Sequence, residues 1–300
     1  MFTLIKNIPR ILSLLLRTPK RSIYHAVLRG VSPLPSIVLD EGPSGVYSGI
    51  RGDLTYEKTI KSGLNEPHFL EILNLCVEET DNVIDLGANI GSHSVAMSRK
   101  VSAGSVFSFE PQSLVFSILQ NNLLLNKCSN VFPFRFAITD SDFQTMAMEA
   151  FSFTGDEFNN GSIRLDPTGS SLGDLVLTRT LDSLDLNNIS FIKMDIQGAE
   201  ISALRGSEQL IKASRPFMFV EVEEIHLKAL GGSSEELMSL ILGMGYVMYR
   251  INTDYPCDHL CVTLEKSDAF EEIQLNKLTF STDRIFGTSV QLKFESPDSQ

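Results

Sequence analysis

Cysteine is scarce in this chain of 300 residues, which carries four, at positions 76, 128, 257 and 261. Four scattered cysteines do not make the framework of a disulfide-stabilised secreted domain, so they indicate buried thiols in a reducing compartment. The segment between Cys257 and Cys261 lacks zinc-ribbon spacing, and no second pair of ligands follows it. We therefore predict no zinc site.

Positive charge is also in short supply, with 25 lysines and arginines against 37 aspartates and glutamates. Residues 1–30 contain six basic residues and no acidic residue, so the total formal charge of −12 leaves −18 on the rest of the chain. A surface that acidic repels phosphate backbones, and we expect no nucleic-acid partner.

No uninterrupted apolar run approaches the ~20 residues that a membrane-spanning helix needs. The N-terminal arm, residues 1–40, is apolar but is interrupted by Lys6, Pro9, Arg10 and Arg17, and its run Ile11–Leu16 is too short for a secretory signal peptide. We favour a helix that packs on the domain or on a second subunit. The alternative is a basic amphipathic helix over residues 1–30 that lies on an anionic membrane surface. The expected location is the cytoplasm, with membrane association only in that alternative.

The segment VIDLGANIG at residues 83–91 predicts a buried strand, a glycine turn and a helix from about Ser92. Glycines let the backbone turn sharply and approach a ligand closely. Asn89 stands where a dinucleotide-binding loop carries the glycine that makes room for a pyrophosphate. The loop therefore favours a ligand without a pyrophosphate, such as S-adenosylmethionine (SAM). The candidate binding residues here are Asp85, Gly87, Ala88, Asn89 and Gly91.

Strands and helices alternate after residue 83, which predicts an α/β fold, doubly wound around a mostly parallel sheet with right-handed crossovers. Ligands bind such sheets at the carboxyl ends of the strands. Acids fall at or near those ends, at Asp85, Glu110, Asp140, Asp195 and Glu221. Because carboxylates are costly to bury unpaired, such a row suits a cationic sulfonium and a hydroxyl-rich ligand.

Two of these acids receive specific roles. Glu110, which Pro111 follows, ends the second strand about twenty residues after the glycine loop, where a carboxylate suits the hydroxyls of a ribose. Asp140 follows the third strand, which we predict over Val131–Ala137. It either faces the adenine edge or is a plain turn residue.

The chain divides into the arm at 1–40, a main domain at 41–266 and a C-terminal extension at 267–300. Residues 41–55 are rich in glycine and are predicted as turns. Residues from about 141 to 180 are too many for a simple loop. We predict that they form a small β insert with strands over Thr145–Phe153 and Leu175–Leu181, suited to a lid or a substrate wall.

Several motifs in order resemble the FkbM-type SAM-dependent methyltransferases over roughly residues 64–252. They are VIDLGANIGSHS (83–94), Phe109-Glu110-Pro111, Asn121, Asn122 and Asn126, TLDSL (180–184), IKMDIQGAEISALRG (192–206), Arg215-Pro216 and Val220-Glu221-Val222. Glu66-Pro67 also resembles the acid-proline pair of that family, so Glu66 joins the candidate binding residues. The family commonly has Glu where this chain has Gln197.

The resemblance implies a class I methyltransferase fold with a seven-stranded sheet whose last strand is antiparallel. It also implies SAM as the cofactor and methyl transfer, usually to a hydroxyl of a sugar, glycan or natural product. Two other functions stay open: a catalytically silent SAM-fold partner module, and a nicotinamide oxidoreductase, against which Asn89 argues.

Transfer to a hydroxyl needs a base within hydrogen-bonding reach. Asp195, at the end of a strand, is the first candidate, and its alternative role is to orient the turn at Gln197-Gly198. Glu221 and His226 are the next candidates. Glu200 falls in a first helical turn, where the helix dipole stabilises an acid. We predict no metal site, because Asp195, Glu221 and Glu223 are poorly arranged as ligands.

Overall fold

The computed structural model describes residues 37–64, 66–149, 159, 163–166, 168–169, 173–252, 257–273 and 275–285. The predicted helix of the N-terminal arm lies outside these residues, the first of which is Ile37. Within them, none of the helices is both long enough and apolar enough to cross a bilayer. The four cysteines carry thiols and form no disulfide in this part of the chain.

The strands, numbered in chain order over the described residues, are β1 (Ile37–Gly42), β2 (Gly45–Ile50), β3 (Asn82–Leu86), β4 (Ser105–Phe109), β5 (Val131–Phe134), β6 (Ala137–Ile138), β7 (Thr145–Met148), β8 (Leu165–Asp166), β9 (Leu175–Arg179), β10 (Ile189–Met194), β11 (Phe217–Glu221), β12 (Tyr246–Ile251), β13 (Asp258–Thr263) and β14 (Thr282–Ile285). The helices are α1 (Leu54–Ser62), α2 (Phe69–Cys76), α3 (Ser92–Lys100), α4 (Ser113–Leu125), α5 (Glu200–Arg205), α6 (Glu208–Ser214), α7 (Glu224–Ala229), α8 (Ser234–Gly243) and α9 (Leu264–Ile273).

The central sheet has the strand order β14-β12-β13-β11-β10-β3-β4-β5. The strands from β11 to β5 pair in parallel, while β13 runs antiparallel to both β11 and β12. The predicted α/β fold with a mostly parallel sheet and an antiparallel late strand is therefore confirmed.

The predicted number of seven strands is wrong, because the sheet has eight. The additional strand, β14, pairs antiparallel with β12 in the register Met248↔Ile285. It comes from the segment beyond Ser267 and has only four residues, none of them fully buried. A short edge strand of this kind lacks a strong apolar pattern, so the sequence signal was too weak to predict it.

Side chains from both faces of the sheet are buried. Val83 and Phe191 point into one core cluster with residues of α2, α3, α4 and α9. Ile84 and Ile192, one residue further along the same strands, point into a second cluster with residues of α5, α6 and α8. Strands covered by helices on both faces read as continuous apolar runs, which explains why these strands were predictable.

The glycines of residues 41–55 predicted a series of turns, and this prediction is wrong. β1 and β2 form an antiparallel hairpin, with Ile37 opposite Ile50, and α1 begins after Asp53, whose Oδ1 accepts the backbone N–H of Tyr56 at 3.1 Å. The hairpin is held against α4 by Asn122, whose side chain hydrogen-bonds Ser48. This contact joins residues 74 positions apart, which a local pattern does not reveal.

Together with β6, the insert forms a second, four-stranded sheet with the order β6-β9-β7-β8. Thr145 and Leu175, at the starts of the two predicted strands, belong to β7 and β9, which pair antiparallel. The third strand of the central sheet is shorter than predicted, since β5 ends at Phe134. Ala137 and Ile138 pair with β9 instead, so the chain leaves the central sheet at this point.

Candidate functional site

The loop after β3 has the conformation that its glycines predict. Gly87, Asn89 and Gly91 all have positive φ, at 77°, 49° and 92°. A Cβ built on Gly87 would lie 1.8 Å from the backbone oxygen of Asp195, so only glycine fits where this loop meets the end of β10. The N–H groups of Gly87 and Ala88 both donate to the carbonyl of Phe109 at 3.0 Å. The loop is therefore fixed between the ends of β4 and β10.

Glu110 joins the tips of β3 and β4. Its Oε2 accepts the backbone N–H of Asn89 and its Oε1 accepts that of Gln112, both at 2.9 Å. Burial raises the pKa of the Glu110 carboxyl to about 7, although the two backbone hydrogen bonds oppose the shift. Glu110 is thus a buried carboxyl whose charge changes near neutral pH.

A cavity whose lining residues are mostly apolar, and which we call the apolar cavity, opens beside Glu110 between the β3 loop and the second sheet. Phe109, Phe136 and Ile138 supply apolar walls, and Glu110 and Asn89 supply polar atoms. Pro111, Asp195 and Gln197 also line it. The cavity therefore combines flat apolar walls with a few polar groups.

A second space, which we call the polar cleft, adjoins the apolar cavity. It is lined by Thr55, Lys58, Glu66, Ser92, His93, Asn159, Lys193, Glu221, Glu223 and His226. Gly87, Asn89, Asp195 and Gln197 line both spaces. The two spaces therefore meet where the loops after β3 and β10 come together.

Lys193 supports this meeting point from inside the sheet. Its side chain is 1% exposed, and its Nζ donates to the carbonyl of Gly87 at 3.2 Å. The same nitrogen lies 3.7 Å from Asp85 Oδ1 and 3.6 Å from Asp195 Oδ2. Burial lowers the pKa of Lys193, but the carboxylates, that of Asp195 first, outweigh burial and raise it above its ordinary value. Sequence reasoning missed this lysine, whose only signal is a charge within an apolar strand.

Asp85 lies beneath the glycine loop and is fully buried. Its Oδ2 accepts the hydroxyl of Ser94 at 2.6 Å, and it pairs in register with Lys193 on the neighbouring strand. Asp85, Ala88 and Gly91 are absent from the linings of both described spaces. These three residues shape and support the loop from behind, and their contact with a ligand stays a prediction.

The candidate bases lie together at the polar cleft. The Gln197 amide nitrogen donates to Asp195 Oδ1 at 2.7 Å and to Glu221 Oε2 at 3.2 Å. His226 Nε2 lies 3.0 Å from Glu223 Oε2 on the adjoining turn. Glu66 also lines this cleft, where its Oε2 lies 3.2 Å from His93 Nε2. The structure thus brings Glu66, Asp195, Glu221 and His226 to one space.

Asp140 is the predicted site residue that the structure places elsewhere. It is exposed and lines a different cleft, together with Ser202, Arg205 and Gly231. The cause is the early end of β5, because the two residues of β6 carry the chain away from the sheet edge before Asp140. Asp140 therefore does not share a cavity with Glu110.

Glu200 has a larger structural role than its helix position suggested. It is 2% exposed, and its Oε1 accepts the backbone N–H groups of Ile196 at 3.0 Å and Gly198 at 3.2 Å. Burial raises the pKa of its carboxyl to about 7. Glu200 therefore fixes the loop that presents Asp195 and Gln197 to the cleft.

The topology and the glycine loop at the carboxyl end of β3 define an α/β protein of the class I methyltransferase type. Residues 85–248, more than half of the chain, match the methyltransferase FkbM domain. The chain therefore belongs to the FkbM methyltransferase family, whose cofactor is SAM.

Curated relatives are distant. The chain is 25% identical over 171 residues to methyltransferase sdnD of Sordaria araneosa, a match covering 47% of this chain and 65% of the relative. It is 26% identical over 146 residues to the hexuronic acid methyltransferase AglP of Haloferax volcanii, covering 48% of this chain and 57% of the relative. The chain thus spans less than two thirds of the length of either relative.

Two solved structures align with this chain at low sequence identity. The crystal structure of methyltransferase FkbM from Methylobacillus flagellatus KT aligns with a TM-score of 0.45 and 19% identity, over 86% of this chain and 59% of that one. TYW2 of M. jannaschii, solved in complex with AdoMet, aligns with a TM-score of 0.39 and 12% identity, over 77% of this chain and 86% of that one.

Proposed function

We propose that this chain is a SAM-dependent methyltransferase that modifies a hydroxyl group on a sugar, glycan or natural-product acceptor. The observation that carries the proposal is that the apolar cavity and the polar cleft meet at Gly87, Asn89, Asp195 and Gln197. The apolar cavity, with the Glu110 carboxyl at its side, suits an adenosyl group. The polar cleft, with Asp195 and Glu221, suits a hydroxylated acceptor.

The residues present fit the donor. The β3 loop borders the cavity directly, since Gly87 and Asn89 are among its lining residues. Glu110 has further lone pairs for a ribose diol while it holds Asn89 and Gln112, because a carboxylate offers about four acceptor sites. Phe109, Phe136 and Ile138 offer apolar surface to a base. When bound, SAM supplies an electrophilic methyl group on a sulfonium centre.

Asp195 is the base that we place at the acceptor hydroxyl. Gln197 holds its Oδ1, and the Lys193 ammonium lies beside its Oδ2, so the carboxylate keeps one orientation at the border of both spaces. Glu221 and His226 are the alternative proton acceptors in the same cleft. The chain must also orient the acceptor hydroxyl towards the methyl group, and orientation of reactants lowers the activation barrier by about 7–11 kcal/mol in favourable cases.

The acceptor class rests on chemistry and on one relative. The cleft is lined mainly by carboxylates, histidines and hydroxyl groups, which hydrogen-bond a polyhydroxylated molecule. AglP, by its name a hexuronic acid methyltransferase, supports a sugar acceptor.

The proposal is tested by calorimetry with SAM and with its demethylated product, followed by transfer of labelled methyl groups to a panel of sugars, glycans and phenolic or polyketide alcohols. We expect affinity for both nucleosides and transfer to at least one hydroxyl. No affinity for either nucleoside would overturn the proposal, most clearly if NADH bound instead. Binding without transfer to any acceptor would point to the silent partner module.

The base is tested with Asp195→Asn against a matched control, Asp268→Asn, since the side chain of Asp268 is 93% exposed on α9. A general base contributes about 10²–10⁴ in rate, so we expect turnover to fall about a hundredfold or more. SAM affinity should change much less. Equal turnover of the two variants on the true acceptor would exclude Asp195 as the base.

A further inference from the structure

Gln197 occupies the space between two of the candidate bases. Its backbone lies in the left-handed region at φ 55°, which turns the side chain back over the end of β10. One amide nitrogen there donates to both Asp195 Oδ1 and Glu221 Oε2, at 2.7 and 3.2 Å. Because both oxygens contact this nitrogen, the two carboxylates lie within about 6 Å of each other, close enough for strong mutual repulsion.

The chemistry of the partners fixes the orientation of this amide. Both partners are carboxylates, which accept hydrogen bonds, and an amide NH₂ has two hydrogens to give. The flipped amide would place its carbonyl oxygen against two negative oxygens. The nitrogen therefore faces the pair, and each hydrogen serves one carboxylate.

The loop that carries Gln197 is held on two further sides. Glu200 accepts the N–H groups of Ile196 and Gly198, which flank Gln197. A Cβ on Gly198 would lie 2.3 Å from the carbonyl oxygen of His226, so the loop packs directly on α7. Gln197 is therefore placed by the fold, and its side chain does not depend on a ligand for its position.

We propose that Gln197 is a positioning residue, whose neutral amide holds Asp195 and Glu221 together at the polar cleft without a shared proton or a bridging cation. Paired carboxylates otherwise share a proton, as in aspartic proteases, or bind a divalent cation. The inference deepens the proposed function, because it concerns the carboxylates proposed to receive the acceptor's proton.

Other charged groups face the pair and set the background for any titration. Lys193 and Asp85 lie on the sheet beside Asp195. The remaining groups are Lys58, Glu66, His93, Glu200, Glu223, His226 and Asp258. Since all of them stay unchanged in a variant at position 197, a difference between variants isolates the amide.

Gln197→Glu, nearly equal in size, replaces the amide with a third acid. Gln197→Met keeps the length of the side chain and removes the donors. The matched control is Gln209→Glu, at an exposed position on α6. Unfolding temperatures of the apoproteins are measured between about pH 5 and pH 8, which spans the titration of acids whose folded pKa is raised by like charges.

We expect both position-197 variants to match the control near pH 5 and to fall below it as the pH rises. A carboxyl whose pKa is higher in the folded than in the unfolded protein adds to the stability of the fold at low pH. That contribution is lost as pH rises through the folded pKa. One pKa unit corresponds to a difference of about 2–4 °C. Magnesium ions should also raise the unfolding temperature of Gln197→Glu and leave the wild type unchanged.

A deficit of the same size at every pH would overturn the proposal, because it would assign Gln197 to packing alone. An equal effect of magnesium on the wild type would also overturn it. These readouts use apoprotein, so they decide the role of Gln197 even if SAM does not bind. Failure of SAM binding to the wild type would instead remove the proposed function.

Discussion

Replacing Glu110 with glutamine removes a carboxylate charge from the apolar cavity and changes the size of the side chain very little. In the wild type, the two carboxylate oxygens each accept one backbone N–H, from Asn89 and from Gln112. A glutamine has one oxygen, so one of these N–H groups must face an NH₂ group. The change therefore weakens both the hydrogen bonds that link the β3 and β4 tips and the proposed hydrogen bonds to the ribose hydroxyls.

The magnitude follows from the hydrogen bonds that are lost. A hydrogen bond to a charged group contributes about 1.5–3 kcal/mol, against about 1 kcal/mol for a neutral one. Losing that difference at both hydroxyls of a ribose diol, together with some loosening of Asn89, weakens the binding free energy of SAM by about 1.4–3 kcal/mol. The dissociation constant for SAM should therefore rise about tenfold to a hundredfold.

The pH dependence gives a second and sharper test. Burial raises the pKa of Glu110 to about 7, and two hydroxyls are best accepted by the ionised form. Below that pH the carboxyl of the free protein is mostly protonated, and binding must first expel the proton. The wild-type affinity should thus increase about tenfold from pH 6 to pH 8, whereas that of Glu110→Gln should not.

Calorimetry with SAM and its demethylated product at three pH values measures both effects. Glu208→Gln, at an exposed position on α6, is the matched control. If Glu110→Gln bound with wild-type affinity, or if both proteins showed the same pH dependence, Glu110 would have no role at the ribose.

Two further variants test the support of the loops. Asn122→Ala removes a buried amide that bonds Ser48 three times and the carbonyl of Ile90 once, so we expect urea denaturation to show a loss of about 2–4 kcal/mol. Asn121→Ala, which removes one bond at an exposed position, is the control, and equal losses would contradict the role of Asn122. Glu200→Gln keeps an acceptor for Ile196 and Gly198 but removes a buried carboxyl whose folded pKa of about 7 lies above its ordinary value. The wild type loses this contribution to stability as pH rises from the ordinary pKa of the carboxyl through about 7. Between pH 6 and pH 8 the variant should therefore gain about 1.4 kcal/mol of stability relative to the wild type, and a difference that does not change with pH would contradict a buried charge there.

The ends of the parallel strands were the most predictable part of the site. The positions of Gly87, Glu110 and Asp195 follow from apolar strands that stop at a glycine or an acid, and parallel strands bring such ends to one edge. Asp140 shows the limit of this rule. The strand before it ends earlier than its apolar run suggests, because Ala137 and Ile138 pair with β9 of the second sheet and not with the central sheet.

Sequence alone determined the α/β alternation, the parallel sheet and the glycine loop, because each depends on the local order of apolar residues, glycines and acids. The β1–β2 hairpin, the eighth strand and the support of the site by Lys193, Gln197 and Glu200 instead depend on tertiary packing. Ser48 meets Asn122 across 74 positions, and Gln197 meets Glu221 across 24. Contacts of this kind form only when separate elements pack against each other, so the local sequence around one partner does not predict the other.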